Sequence, residues 1–245
     1  MTRFYVPQPQ IENRLLKVEG SEARHIRLVL RLKPGDVVTL FDGSGKEYHG
    51  MIIGLGASSV SVRIDDISLS DTESPLEITL AQSLLKGEKM DYLIQKATEL
   101  GVRRIVPFSS SRSVPLLDPS KQLKRKQRWE SLAVAASKQC GRSMLPKIEP
   151  LQDYAVMLSS IPRDGLRLIM SEHGGGDLRR SLEGTKEVVR VFFIVGPEGG
   201  WSRHEIELAE REGVIPITLG KRILKAETAG LCLISILQYI LGDLG

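Results

Sequence analysis

Three apolar segments in the last third of the chain each run into a short polar stretch rich in glycine. Phe192-Phe-Ile-Val-Gly-Pro-Glu-Gly-Gly200 sets one carboxylate, Glu198, among Gly196, Gly199 and Gly200. Glycine permits backbone angles and close approach that a β-carbon forbids, so amides and carbonyls of such a turn can line a ligand. The same residues also suit a plain strand-to-helix turn. Leu219-Gly-Lys-Arg-Ile-Leu-Lys-Ala-Glu-Thr-Ala229 is the second stretch; Gly220 breaks a strand there, and Glu227 and Thr228 open a helix. The third is Ser171-Glu-His-Gly-Gly-Gly176. Ligands of α/β sheets bind beyond the carboxyl ends of strands, so three such ends side by side predict one cleft.

Other chemistries find little footing. No Gly-x-Gly-x-x-Gly follows a strand, and Gly43-Ser-Gly-Lys46 lacks the upstream glycine and the following Ser/Thr of a phosphate loop. Gly-x-Ser-x-Gly, His-Glu-x-x-His and paired Cys-x-x-Cys are absent. Two cysteines and four scattered histidines predict neither a metal site nor a disulfide framework. The start, MTRFYVPQPQ, has no hydrophobic signal core. The longest apolar run, Ala229 to Leu241, is interrupted by Ser235 and Gln238 and falls short of the ~20 residues of a membrane span. A cytoplasmic protein without metal or membrane partners is the expectation.

The 245 residues suffice for one or two domains. Residues 1–75 hold nine Lys+Arg against ten Asp+Glu, and the remainder 25 against 20. This balance is compatible with a polyanionic partner without requiring one. Five cations fall within residues 121–128, and Arg24, Arg27, Arg31 and Lys33 form a second cluster. Either cluster also reads as a solvated face.

Residues 1–72 read as a small β-barrel with strands at Val37–Phe41, Tyr48–Ile53 and Val60–Ile67 and a helix N-capped at Ser21. Ser70-Asp-Thr-Glu-Ser-Pro75 closes this domain. Residues 76–245 alternate strand and helix, which predicts an α/β domain with a mostly parallel sheet. Its strands are Leu76–Ala81, Arg104–Phe108, Leu166–Met170, Val188–Val195 and Ile215–Leu219. Asp118-Pro119 caps a long helix that ends near Gly141, Ser202-x-x-Glu205 forms a capping box, and Ala226–Leu241 is an apolar terminal helix.

Gly196-Pro-Glu-Gly-Gly200 with Leu219-Gly-x-Arg-Ile-Leu-x-x-Glu-Thr-Ala229 resembles the signature of the RsmE family, small-subunit ribosomal RNA uridine-N3 methyltransferases of the SPOUT superfamily. The likeness extends through Gly87-Glu-Lys-Met-Asp91, Gln95-Lys96, Glu99-Leu-Gly101, Arg112-Ser113, Arg128-Trp129 and Gln139-Cys-Gly-Arg142. Arg3-Phe4, His25-x-x-x-Val-Leu-Arg31 and Gly35-Asp36 extend it to the N-terminus. One departure is Lys225, where the family usually carries arginine; lysine keeps the charge but not the two-pronged grip.

The resemblance implies a SPOUT-type parallel sheet with a C-terminal trefoil knot, preceded by a PUA-like barrel that holds RNA. It also implies a homodimer that uses S-adenosyl-L-methionine (AdoMet) on 16S ribosomal RNA of the small ribosomal subunit. Around AdoMet it places Ser171, Glu172, Gly196, Glu198, Gly199, Gly200, Leu219 and Gly220, with Ile223 and Leu224 at the adenine and Thr228 and Ala229 opening the last helix. Glu198 is the candidate base for the uridine N3–H, or else orients its loop by accepting backbone N–H bonds. Arg112, Arg142 and Arg222 are candidates to steady charge on the uracil or to hold phosphates. Arg3, Arg27, Arg31, Lys33, Lys124, Arg125 and Lys225 complete the RNA-contacting set. Phe4 and Trp129 either stack on a base or lie in the core. A non-catalytic RNA-binding protein and a SPOUT enzyme with another target are the competing readings.

Overall fold

The computed structural model describes residues 2–113, 118–172, 174–183 and 188–245. The chain folds into two compact units, Met1–Glu73 with Val134–Leu145, and Ser74–Ala133 with Pro146–Gly245.

The first unit carries β1 (Arg3–Tyr5), β2 (Ile11–Glu12), β3 (Leu15–Val18), helix α1 (Gly20–Arg24), β4 (Val37–Phe41), β5 (Lys46–Leu55) and β6 (Val60–Leu69). α1 passes into a wide turn at His25–Val29, and Glu19 rather than Ser21 is its N-cap, with no side-chain bond. The strands form one sheet in the order β1-β4-β5-β6-β3-β2, antiparallel except for β1 against β4. Alternate residues of β4 to β6, among them Val38, Leu40, Ile52, Val60 and Val62, enclose a core with Phe4, Leu16 and Ile26. Phe4 is therefore a core residue rather than a stacking platform.

Buried charges fasten residues 142–144 to this unit. Glu73 accepts from Arg142 Nη2 (2.9 Å), from Arg142 Nε (3.1 Å), and from the amides of Ser143 (3.2 Å) and Met144 (2.9 Å). The two side chains are 4% and 9% exposed. Removing one member of such a pair strands the other charge away from water. Glu73→Ala is therefore expected to lower stability by about 3 kcal/mol, read from the denaturant midpoint. A loss below about 0.5 kcal/mol would assign the pair no structural weight.

The second unit adds β7 (Glu77–Ser83), α2 (Lys89–Glu99), β8 (Arg104–Ser109), α3 (Pro119–Cys140), β9 (Lys147–Ile148), β10 (Gln152–Asp153), α4 (Tyr154–Ser159), β11 (Leu166–Met170), β12 (Gly176–Asp177), α5 (Leu178–Ser181), β13 (Arg190–Val195), α6 (Arg203–Arg211), β14 (Ile215–Thr218) and α7 (Ala226–Leu241). The C-terminal part of α3 belongs to the first unit. Asp118 caps α3 by accepting from the Lys121 amide (3.0 Å) and Ser120 Oγ (2.7 Å). Every strand pairing in this sheet is parallel, in the order β10-β8-β7-β13-β11-β14-β12, with β9 beside β8.

β13 shows why its sequence is almost continuously apolar. Val191, Phe193 and Val195 face a core shared with Leu93, Ile94, Leu233 and Leu237. Phe192 and Ile194 face the opposite core, with Phe108, Met157, Ile169 and Ala209. Helices thus cover both faces, as a parallel sheet requires. The register Ile169↔Ile194 and Met170↔Ile217 brings the carboxyl ends of β11, β13 and β14 to one edge, with β7 alongside β13.

Candidate active site

At that edge lies a cavity of about 370 Å³. Met170, Ser171 and Glu172 line it from the end of β11, and Val195–Glu198, Gly200 and Trp201 from the end of β13. Thr218–Glu227 and Ala229 line it from the end of β14 and the start of α7, and Lys89 from the start of α2. The predicted cleft is thus present. His173, in the first of these loops, lies outside the described residues.

Local packing holds the glycine loop in shape. The Gly200 amide bonds Pro197 O (3.0 Å), and Gly200 itself takes φ +72°, the left-handed region. Arg112 Nη1 donates to the carbonyls of Gly199 (3.4 Å) and Trp201 (3.2 Å). The Trp201 indole donates to Met170 O (2.7 Å) and stacks on Phe108, which joins the β13 loop to the end of β11. Gly196 lies directly beneath that indole. A β-carbon there would stand 2.7 Å from Trp201 Cε2.

Behind the loop, Ser202 and Glu205 form the predicted capping box of α6. Glu205 also accepts from the Ser111 amide (2.9 Å) and hydroxyl (3.0 Å). Burial raises the Glu205 pKa, but the bonds from Ser111 and Ser202 outweigh it and hold the carboxyl below its ordinary value. A depressed folded-state pKa contributes stability that is present above the unfolded value and lost as pH falls through the folded one. Glu205→Gln is accordingly expected to flatten the acid side of the melting temperature against pH, from just above pH 4.5 downward. Parallel curves for the two proteins would contradict this.

Glu198 meets a side chain, not backbone amides: Lys89 Nζ lies 2.5 Å from its Oε1 and 3.7 Å from Glu227 Oε1. The hydrogen bond with Glu198, joined by the charge of Glu227, raises the Lys89 pKa and keeps the amine an ammonium. Glu227 Oε2 is buried without a hydrogen-bond partner. Glu198, Lys89 and Glu227 carry one net negative charge, while Lys221, Arg222 and Lys225 line another part of the same cavity.

Most of the predicted donor-site residues surround the cavity, namely Ser171, Glu172, Gly196, Glu198, Gly200, Leu219, Gly220, Ile223, Leu224 and Ala229, together with Arg222 and Lys225. Gly199 and Thr228 are exposed outside its lining. The missing side chain of Gly199 faces Arg112, whose Cβ and carbonyl oxygen lie 3.2 Å from where its β-carbon would be. Among the basic residues, Arg31, Lys33 and Lys124 are exposed, while Arg27 and Arg125 are half-buried. Arg27 donates to Ala57 O. Arg3 and Arg142 serve the first unit's interior: Arg3 bonds Glu47 (2.9 Å) and Ser143, and Arg142 bonds Glu73. Trp129 is buried, its indole donating to Asp91.

Lys89, Glu227 and Trp201 are among the lining residues that the predicted site set did not include. One available signal was position, since Lys89 opens the helix that follows β7, and that strand also ends at this edge.

Among the described residues no helix is long and apolar enough to cross a membrane, and no three His, Cys, Asp or Glu are grouped to hold a metal. The chain thus combines a unit whose parallel sheet carries a cavity at its carboxyl edge with a second unit whose sheet is mostly antiparallel. Residues 72–238 match the family described as RNA methyltransferase domain, and residues 18–65 the RNA methyltransferase PUA domain. The ribosomal RNA small subunit methyltransferase E of Bacillus subtilis (strain 168) is 30% identical, over 98% of this chain and 96% of its own. The crystal structure of a ribosomal RNA small subunit methyltransferase E from Neisseria gonorrhoeae, bound to S-adenosyl methionine, superposes with a TM-score of 0.91. It is 36% identical and covers 100% of both chains. A Legionella pneumophila protein in complex with the cofactor SAM gives 0.90 at 34% identity, over 99% of each chain. The present chain belongs to the ribosomal RNA small subunit methyltransferase E family.

Proposed function

We propose that this protein transfers a methyl group from AdoMet to N3 of a uridine in 16S ribosomal RNA of the small ribosomal subunit. The single observation that carries this reading is the cavity at the carboxyl edge of β11, β13 and β14. Its size suits a small organic ligand. Its lining pairs apolar Leu219, Ile223 and Leu224 with carboxylates suited to a cationic sulfonium. AdoMet supplies an electrophilic methyl group; the chain supplies orientation and a place for a proton. In this reading the loops after β11, β13 and β14 hold the donor, with Ala229 at its inner end. Gly199 and Thr228 act through their loops rather than by contact.

Uridine N3–H is a poor nucleophile, so its proton must leave before or during attack, and Glu198 accepts it. N3 belongs to the Watson–Crick edge, so the uridine is unpaired or extruded when it reacts. Arg112 and Arg222 flank the glycine loop and the cavity, where they hold the adjoining phosphates or steady charge on the base. Residues 1–72 form the RNA-holding part and 76–245 the catalytic part. Arg27, Arg31, Lys33, Lys124, Arg125 and Lys225 supply phosphate contacts, and such contacts weaken as salt rises. A homodimer, a trefoil knot through the cavity loops and a cytoplasmic location complete the proposal. Exposed Tyr239 and Ile240 at the end of α7 supply apolar surface for the dimer.

Incubation with AdoMet and unmodified small-subunit particles, followed by nucleoside digestion and mass spectrometry, is expected to yield N3-methyluridine. A 2′-O-methylated nucleoside or N1-methylguanosine as sole product would refute this reading.

A further inference from the structure

We infer that Lys89 is a catalytic residue that reads the uracil edge together with Glu198 and stabilises the charge left when N3 loses its proton. This rests on the uridine-N3 reading above and names how the same site selects and activates the base.

Lys89 opens α2 just beyond the end of β7 and reaches into the cavity with its side chain 40% exposed. An ammonium has three donors. Glu198 takes one at 2.5 Å, and Glu227 Oε1, 3.7 Å away, is an ion-pair partner beyond hydrogen-bond reach. Donors therefore remain for a ligand in the cavity. A carboxylate acceptor and an ammonium donor therefore stand side by side.

The Watson–Crick edge of uracil carries the complementary pair, an N3–H donor beside a carbonyl acceptor. Docked on Glu198 and Lys89, uracil directs N3–H to the carboxylate and a carbonyl oxygen to the ammonium. Cytosine carries the reverse pattern, so its N3 would face the ammonium and its exocyclic amine the carboxylate. The pair thus selects the base and the atom together.

The charge balance also explains why two carboxylates surround one lysine. The N3–H proton passes to Glu198, and the electron pair that bound it spreads over N3 and the flanking carbonyl oxygens, one of which the Lys89 ammonium stabilises. N3 then forms the new bond to the methyl carbon while the S–CH3 electron pair stays on sulfur. Once protonated, Glu198 no longer offsets the Lys89 charge. Glu227 still does, so Lys89 remains an ammonium throughout. Its raised pKa agrees with that role.

The test compares the full-length wild type, Lys89→Met and Lys89→Arg in single-turnover methyl transfer to unmodified small-subunit particles. The product nucleoside is identified by mass spectrometry, and AdoMet affinity is measured by calorimetry on the same preparations. Lys89→Met is expected to lose roughly 100-fold in rate, the scale of one oxyanion-stabilising donor, with AdoMet affinity kept within about threefold. Lys89→Arg, which retains a charged donor, is expected to recover at least about tenfold of that loss. Lys89→Met working at the wild-type rate would overturn the inference. So would a rate loss matched by an equal loss of AdoMet affinity, or no recovery in Lys89→Arg. Should wild type methylate another atom, the uridine-N3 reading fails and takes this inference with it. Should wild type make N3-methyluridine and Lys89→Met match it, only the role of Lys89 falls.

Discussion

Replacing Glu198 with glutamine is expected to lower the rate of methyl transfer by about 10²–10⁴-fold, the range for loss of a positioned base. AdoMet affinity should fall far less than the rate, by the loss of one carboxylate near the sulfonium. Glutamine has nearly the same shape, and its amide oxygen can still accept from Lys89 Nζ, 2.5 Å from the native carboxylate. It cannot take a proton from N3. The loop does not depend on this carboxylate for its shape, since the Gly200 amide and the Arg112 guanidinium hold it. Single-turnover rates and calorimetry on one preparation separate the two roles open to Glu198. Equal losses in rate and affinity would make it a loop-orienting residue instead.

Gly196→Val is expected to abolish donor binding at any practical concentration, a loss of about 100-fold or more, or about 3 kcal/mol. A β-carbon at this position would stand 2.7 Å from Trp201 Cε2 and 2.9 Å from its Nε1. The indole cannot swing aside cheaply, because it is bonded to Met170 O and packed against Phe108 and Tyr154. Either the tryptophan leaves its pocket or the β13 loop moves, and both reshape the cavity wall. Overpacking of this kind also costs the fold about 1–3 kcal/mol, so circular dichroism must accompany the titration. Wild-type AdoMet affinity in a folded Gly196→Val protein would remove Gly196 from the site.

Much of the scaffold was legible because period and punctuation coincide. The capping residues Asp118, Ser202 and Glu205 bond as their spacing predicts. The helix Ala226–Leu241 has the predicted limits. The cleft was readable from three glycine-bearing strand ends, since the sheet sets the strands β11, β13 and β14 at one edge.

Side-chain partners were not readable, because they depend on contacts between residues far apart in the chain. Glu198 and Lys89 are 109 positions apart, and Arg142 and Glu73 are 69 apart. Local sequence carries no trace of either pair. Arg3 and Arg142 look like surface cations for the same reason, although each is enclosed by partners in its own unit. Gly199 shows a finer limit: glycine density marks the loop but not which glycine faces the ligand.

The most direct measurement is a crystal structure of the full-length protein soaked with AdoMet. The expected result is density for the donor among Ser171, Gly196, Glu198 and the loop Leu219–Leu224, with the methyl-bearing sulfur on the Glu198 side. Donor density at any other place on the molecule, or these three loops separated with none between them, would contradict the account.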